Sequence, residues 1–269
     1  MDSLRPPLDI GSLRDALTGT GLCWRQLDVV ADTGSTNADL LARAASGIDI
    51  DGAVLIAEHQ TAGRGRRDRR WSDAPRSQIA MSVGVHAGDV PVEGWGWLPL
   101  AAGVAVVDAV GPVLATAGGE VGLKWPNDVL AGGRKLAGIL AEVAKPYVVV
   151  GIGLNVTLTS DEVDAPGGTS LLQLGVLAPD RADLVRGLLR ELDARIGQWR
   201  SADSLLAADY RARSLTIGSR VRVQLPGDHE VMGTACGVDD VGRLCVELGG
   251  DCNRGEIIAL SAGDVVHLR

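Results

Sequence analysis

Between Val129 and Val143 a single turn-forming run, Ala131-Gly132-Gly133-Arg134, interrupts an otherwise apolar stretch. Paired glycines between apolar runs predict a hairpin, whose second strand is KLAGILAEV, residues 135–143. Lys135 opens that strand. Period-two alternation puts Lys135, Ala137, Ile139 and Ala141 on one face and Leu136, Gly138 and Leu140 on the other. A bulge at Gly138 would bring Lys135 and Gly138 to one ligand.

The flanking patterns extend this hairpin into an α+β arrangement. Residues 34–47, GSTNADLLARAASG, read as a loop with a cap-like Ser35-Thr36-Asn37, then a helix stopped by Gly. AVLIAEH (53–59) and IAMSVGV (79–85) are short and apolar, as buried strands are, and LPLAAGVAVVDAV (98–110) reads as a buried helix. YVVVGIGLNV (147–156) is a further strand in which Gly151 and Gly153 mark a close approach by backbone or ligand. In 182–200, Leu184, Leu188, Leu192, Ile196 and Trp199 recur at helical spacing, so that stripe belongs to a core.

After Ser214 short alternating runs separated by Gly- and Asp-rich turns predict a small β-barrel. The expected division is therefore a first domain over 1–214 and a second over 215–269. The second carries five Arg against eight acids, net −3, of the −8 of the whole chain. Neither part is a basic nucleic-acid module.

The uncharged stretches Gly94–Val107 and Pro146–Ser160 fall short of the ~20 apolar residues of a membrane span, and no secretory leader pattern opens the chain. A cytoplasmic location is expected, and with it reduced thiols at Cys23, Cys236, Cys245 and Cys252. No C-x-x-C pair occurs, and His59, His86, His229 and His267 are far apart, so no structural metal site is expected. Lysine is rare: Lys124, Lys135 and Lys145 stand among 26 Lys and Arg, a ratio that coding bias explains.

Two segments carry chemistry. Gly63-Arg64-Gly65-Arg66-Arg67-Asp68-Arg69-Arg70-Trp71 leaves a strand end with five arginines and one acid. Guanidinium forks suit carboxylate or phosphate, the glycines let backbone N–H groups approach the same anion, and Trp71 suits an adenine or a pocket wall. A charge run alone is more often a solvated loop. The second segment is Lys124-Trp125-Pro126-Asn127-Asp128 with Lys135 seven residues on. Lys135 suits an anion as a point charge or is a surface lysine on a hairpin. Trp125-Pro126 reads as a turn, and Asn127 and Asp128 suit a nucleotide, Mg²⁺ or simple turn closure. The G-x-x-x-x-G-K-[ST], G-x-G-x-x-G and G-x-S-x-G patterns are all missing.

Taken in order, GSTN (34–37), Gln60-Thr61, GRGRRDRRW (63–71), KWPNDV (124–129), GRKLAGILAE (133–142), GIGLN (151–155) and TSL (169–171) resemble the biotin protein ligases. The resemblance runs from about Asp32 to the C-terminus. It implies a catalytic domain like that of class II aminoacyl-tRNA synthetases, a mixed sheet flanked by helices, followed by an SH3-like barrel. Only Met1 to about Cys23 precede the first candidate strand, so the DNA-binding helix-turn-helix of the family's repressor members is not expected.

The activity it implies has two steps. Biotin and ATP give biotinyl-5′-AMP and pyrophosphate, with Mg²⁺ as companion ion; the biotinyl group then passes to a lysine of a biotin carboxyl carrier protein domain of an acyl-CoA carboxylase. By matching positions, Ser35, Thr36, Asn37, Gln60 and the Arg64 backbone would hold the biotin head, with Gly63 and Gly138 lining its pocket. Arg66, Arg69 and Lys135 would hold carboxylate and phosphates as the catalytic cations. Trp71, Asn127 and Asn155 would contact the adenylate. The 63–71 loop is expected to order on ligand binding, with Asp68 tuning it by pairing with an Arg, and the protein to be a monomer or weak homodimer. A lipoate or octanoate ligase and a non-catalytic biotin sensor are the alternatives.

Overall fold

The computed structural model describes residues 4–17, 21–72, 74–163, 167–225, 229–249 and 255–268, with Asp68 described by its backbone alone. The expected pairing of Asp68 and the state of Cys252 lie outside the described residues.

Period-two burial builds the larger part. β1 (Gln26–Thr33), β2 (Ala53–Gln60), β3 (Gln78–His86), β4 (Val121–Lys124), β5 (Asp128–Ala131), β6 (Arg134–Ala144) and β7 (Tyr147–Asn155) form a sheet in the order β1-β2-β3-β7-β6-β5-β4. Only the β1–β2 pair is parallel. Val54 and Ile56 of β2 and Val148, Val150, Ile152 and Leu154 of β7 enter the large core. Their neighbours Ala53, Leu55 and Val149 enter a smaller cluster with Leu40. Each strand thus feeds two faces.

On the large-core face lie α1 (Ile10–Leu17), α3 (Trp97–Ala115), α4 (Arg181–Arg200) and α5 (Ser204–Arg213); α2 (Thr36–Ala45) covers part of the other. α4 is capped by Asp180, whose side chain accepts from Ala182 N and Asp183 N, and its expected stripe is buried in full. α3 is longer than its sequence pattern suggested. The stretch Val92–Ala115 is long and apolar enough to cross a membrane by length and composition, with a mean hydropathy of 1.9. It packs instead between the sheet and α4, which is why it is apolar all round.

The predicted hairpin is β5–β6, with Gly132 and Gly133 at φ 56° and 73°, a left-handed pair that side chains other than Gly rarely adopt. The bulge falls elsewhere than expected. Val129 pairs with Ala137 and Leu130 with Lys135, which leaves Leu136, not Gly138, as the extra residue. The parity still changes between 135 and 138.

Beyond Ser214, β8 (Arg220–Gln224), β9 (Glu230–Val238), β10 (Leu244–Glu247), β11 (Ile257–Leu260) and β12 (Asp264–His267) form an antiparallel sheet in the order β11-β10-β9-β8-β12. Val221, Val223, Ala235, Leu244, Val246 and Val265 face its core. Two indoles, one from the β4–β5 turn and one from the start of α3, fasten it to the larger part: Trp125 Nε1 donates to Gly242 O and Trp97 Nε1 to Asp239 O, both at 3.1 Å. Trp125 is 2% exposed, and the Trp125–Pro126 bond is cis. This pair therefore anchors the second sheet rather than only making a turn.

Candidate active site

The helix-poor face of the sheet needs a floor without side chains, and β7 supplies it. A Cβ at Gly151 would stand 2.3 Å from Asn37 Oδ1, and one at Gly153 would stand 2.5 Å from the Trp71 ring. The close approach expected there is made by these two side chains. Above this floor lies a cavity of about 720 Å³, a size suited to a small molecule of nucleotide class.

Its first end is a polar cluster at the start of α2. Gln60 Oε1 accepts from Thr36 N at 2.9 Å and from Thr36 Oγ1 at 3.1 Å. Ser82 Oγ lies 2.6 Å from both Thr36 Oγ1 and Asn37 Oδ1, and Asn37 Nδ2 donates to Glu142 Oε2 at 2.8 Å. Thr36, Asn37, Gln60 and Ser82 are all buried, so their positions are fixed by these bonds. Ser35 is the helix cap, its hydroxyl accepting from Ala38 N at 3.5 Å.

The arginine segment closes on itself above the second end. Trp71 N donates to Gly63 O at 2.9 Å, Gly65 N to Arg69 O at 2.7 Å, and Arg64 bridges Arg70. Trp71 lies against Gly138 and Gly153 and donates Nε1 to Gln78 Oε1 at 2.7 Å. Lys135 Nζ sits 5.4 Å from the Trp71 ring centre and 2.7 Å from Asp128 Oδ1. Asn127 is tied to β6 by donating Nδ2 to Ile139 O at 3.0 Å and accepts from Arg66 Nη1 at 3.2 Å. Burial lowers the pKa of the Arg66 guanidinium, and Asp264 and Asp128 offset this only in part. A half-buried cation whose hydrogen-bond partner is a neutral amide favours an incoming anion.

Of the thirteen residues singled out from the sequence, Ser35, Thr36, Asn37, Gln60, Arg64, Arg66, Arg69, Trp71, Asn127, Lys135, Gly138 and Asn155 line this one cavity. Gly63 does not. A Cβ there would stand 2.5 Å from Trp71 O, so this glycine lets the two ends of the loop cross. Arg69 is turned toward Asp264 on β12, and Arg64 donates to Glu142 Oε1 at 2.8 Å. Asn155 donates Nδ2 to Thr169 O at 2.8 Å, while its buried Oδ1 has no hydrogen-bond partner among the described residues.

Sequence reasoning missed Ser82, Gln78, Glu142, Glu162 and Asp264. Ser82 was detectable as the one hydroxyl in the apolar run 79–85, and Glu142 closes the segment GRKLAGILAE. Asp264 had no local signal, since its partners are nearly two hundred residues away.

Residues 34–156 match the biotin/lipoate A/B protein ligase family profile, and 216–268 match the biotin protein ligase C terminal domain. The biotin--[acetyl-CoA-carboxylase] ligase of Mycobacterium tuberculosis is 67% identical over 268 residues, covering 100% of this chain and 98% of that protein. The chain belongs to the biotin protein ligase family.

The bifunctional ligase/repressor BirA of Bacillus spizizenii is 33% identical over 87% of this chain and 72% of its own length. The Aquifex aeolicus enzyme in complex with biotin and ATP shares the fold with a TM-score of 0.74 at 23% identity, over 91% of this chain and all of that one. The Leishmania major enzyme in complex with biotinyl-5-AMP gives 0.61 at 26% identity, over 89% of this chain and all of that one.

Proposed function

We propose that this family member activates biotin with ATP and transfers it to a carrier-protein lysine. The observation that carries the reading is the single cavity with a neutral polar cluster at one end and Arg66 and Lys135 at the other. Gly151 and Asn155, four residues apart on β7, span roughly 13 Å, which suits an elongated substrate with its reacting end in the middle.

In the first step the biotin carboxylate oxygen attacks the α-phosphorus of ATP, the bond to the β-phosphate bridging oxygen breaks, and pyrophosphate leaves. Both reactants are anions, so fixed cations are needed where charge builds up. Arg66 supplies one from a half-buried position and Lys135 a second, released from Asp128 as the phosphate arrives. Thr36, Asn37 and Gln60 would hold the ureido head, while Trp71, Asn127 and Asn155, with its spare Oδ1, would contact the adenylate. In the second step the neutral acceptor lysine amine attacks the biotinyl carbonyl, AMP leaves with the anhydride oxygen, and the amine gives up one proton to solvent. The 63–71 loop would exclude water meanwhile.

Mg²⁺ fits this site as an ion that travels on ATP. No group of three potential metal-ligating side chains exists among the described residues, and Asp128 and Asp264 are engaged with Lys135 and with Arg67 and Arg69. When bound it would neutralise phosphate charge, with Asp128 the nearest side chain able to face it. The proposal extends to a cytoplasmic enzyme, monomer or weak homodimer, acting on carrier domains of acyl-CoA carboxylases and on neither DNA nor membranes.

Pyrophosphate exchange into ATP with biotin, lipoate, octanoate or no acid tests the reading. Exchange with biotin alone is expected. Exchange with lipoate or octanoate would overturn the substrate, and biotin binding without exchange would indicate a sensor.

A further inference from the structure

The segment before α1 grips the cavity from outside. Arg5 is 8% exposed and its guanidinium makes four hydrogen bonds: Nε donates to Thr157 Oγ1 at 3.0 Å, Nη2 to Thr157 O at 2.8 Å, and Nη1 and Nη2 reach Glu162 Oε1 and Oε2 at 2.9 and 2.6 Å. A two-pronged pair of this kind fixes direction as well as distance. Glu162 also accepts from Thr159 N at 3.0 Å, so one arginine closes residues 157–162 into a turn.

Leu158 and Glu162 of this turn, and Val163 next to it, are cavity wall. Gly167 O accepts from Lys135 N at 2.7 Å and Lys135 O accepts from Thr169 N at 2.9 Å, which ties the same side of the cavity to the Lys135 backbone. The segment reaches the Trp71 side too. Pro6 O accepts from Arg181 Nη2 at 2.7 Å, and Leu8 N donates to Glu58 Oε1 at 2.6 Å. Arg181, 4% exposed, pairs with Glu58 at 2.7 Å and donates to Gln78 O at 3.3 Å; Gln78 is the residue that holds the Trp71 indole.

We infer that residues 5–8 form a clamp on the Lys135–Asn155 end of the cavity and that Arg5 is a positioning residue for the use of ATP. The inference rests on the function proposed above. The gripped turn follows Asn155 directly, whereas the polar cluster that would hold biotin borders Gly151, roughly 13 Å back along β7. Loosening the clamp therefore acts on one substrate and spares the other. A purely structural role would lower stability without separating the two.

The test is pyrophosphate exchange by the full chain carrying Arg5→Ala, Arg5→Lys, Glu162→Gln, or Arg5→Ala with Glu162→Gln. For Arg5→Ala, KM for ATP is expected to rise about tenfold while KM for biotin stays within about twofold. Arg5→Lys, which keeps the charge without the fork, should fall between. The double variant should be no worse than Arg5→Ala, because both changes cut one connection. Parallel rises in both KM values, multiplying effects in the double variant, or a lower melting temperature with unchanged KM for ATP would overturn the clamp. Should Arg5→Ala not fold, the same expectations apply to Arg5→Lys and Glu162→Gln. Loss of biotin-dependent exchange in the unaltered protein would remove the functional reading and this inference together, whereas normal exchange with unmoved KM values in the variants would remove this inference alone.

Discussion

Asp264 Oδ2 stands 3.1 Å from Arg67 Nη1, and the same oxygen engages Arg69, so one carboxylate of the C-terminal sheet holds two guanidinium groups of the arginine loop. Phosphate would compete for Arg69 with that carboxylate. Asp264→Asn should free the loop before ligand arrives, and trypsin should then cut within 63–71 at least about threefold faster in the absence of ligands. Saturating biotin and a non-hydrolysable ATP analogue should slow cleavage of both forms to a common rate. Equal rates without ligand would show that Asp264 does not restrain the loop.

Lys135 is part-exposed and paired with Asp128, and surface pairs of this type contribute about 0–1 kcal/mol. Lys135→Ala should therefore shift the melting temperature by no more than about 4 °C. Biotin-dependent exchange should fall by about a hundredfold or more, since the lost charge acts where the phosphates react. A variant that melts far earlier yet keeps its exchange rate would make Lys135 a structural residue.

The indole of Trp71 occupies the space that a side chain at position 153 would need. Gly153→Ala should cost about 1–3 kcal/mol as an overpacked contact and should displace the ring, seen as a change in tryptophan emission and a raised KM for ATP. The exposed Gly197 of α4 has nothing within 4 Å of its missing Cβ, so Gly197→Ala is the control and should stabilise by roughly 0.5–1 kcal/mol. Similar effects at the two glycines would mean that space at Gly153 does not matter.

The hydrogen bonds from Arg5 hold the Glu162 carboxyl at about 2, well below its ordinary 4.5. A carboxyl lowered on folding adds stability above its unfolded value and loses it as pH falls through the folded one. The melting difference between the unaltered protein and Glu162→Gln should be flat from pH 8 to 5 and close as pH falls from about 4.5 toward 2. Calorimetry that finds the gap undiminished at the acid end would exclude this pairing as its source.

The features legible in the sequence were those governed by local rules. The Gly132-Gly133 turn, the Ser35 cap and the period-two apolar runs each act over a few residues, and they placed β5, β6, α2 and β7 correctly. The site was legible where chemistry sits in one segment, as at Arg66 and Lys135. What remained hidden depends on long-range pairing. Leu136 becomes the bulge only because Val129 and Leu130 set the register opposite it, and Glu162 is shaped by Arg5 more than a hundred and fifty residues earlier.

The bulge in β6 also limits which changes of length the chain can absorb. Lengthening the 132–133 turn moves both strands apart by a loop and leaves the order of faces beyond it intact. Inserting one residue between Lys135 and Gly138, with the single bulge kept, would send either the lysine or the glycine into the helical core, whereas removing the bulged Leu136 would leave strict alternation with both on the cavity face. Insertions near this hairpin should thus be sharply asymmetric: free at its tip and disruptive across three bonds of one strand, where the count of residues, more than their identity, keeps the amine over the floor.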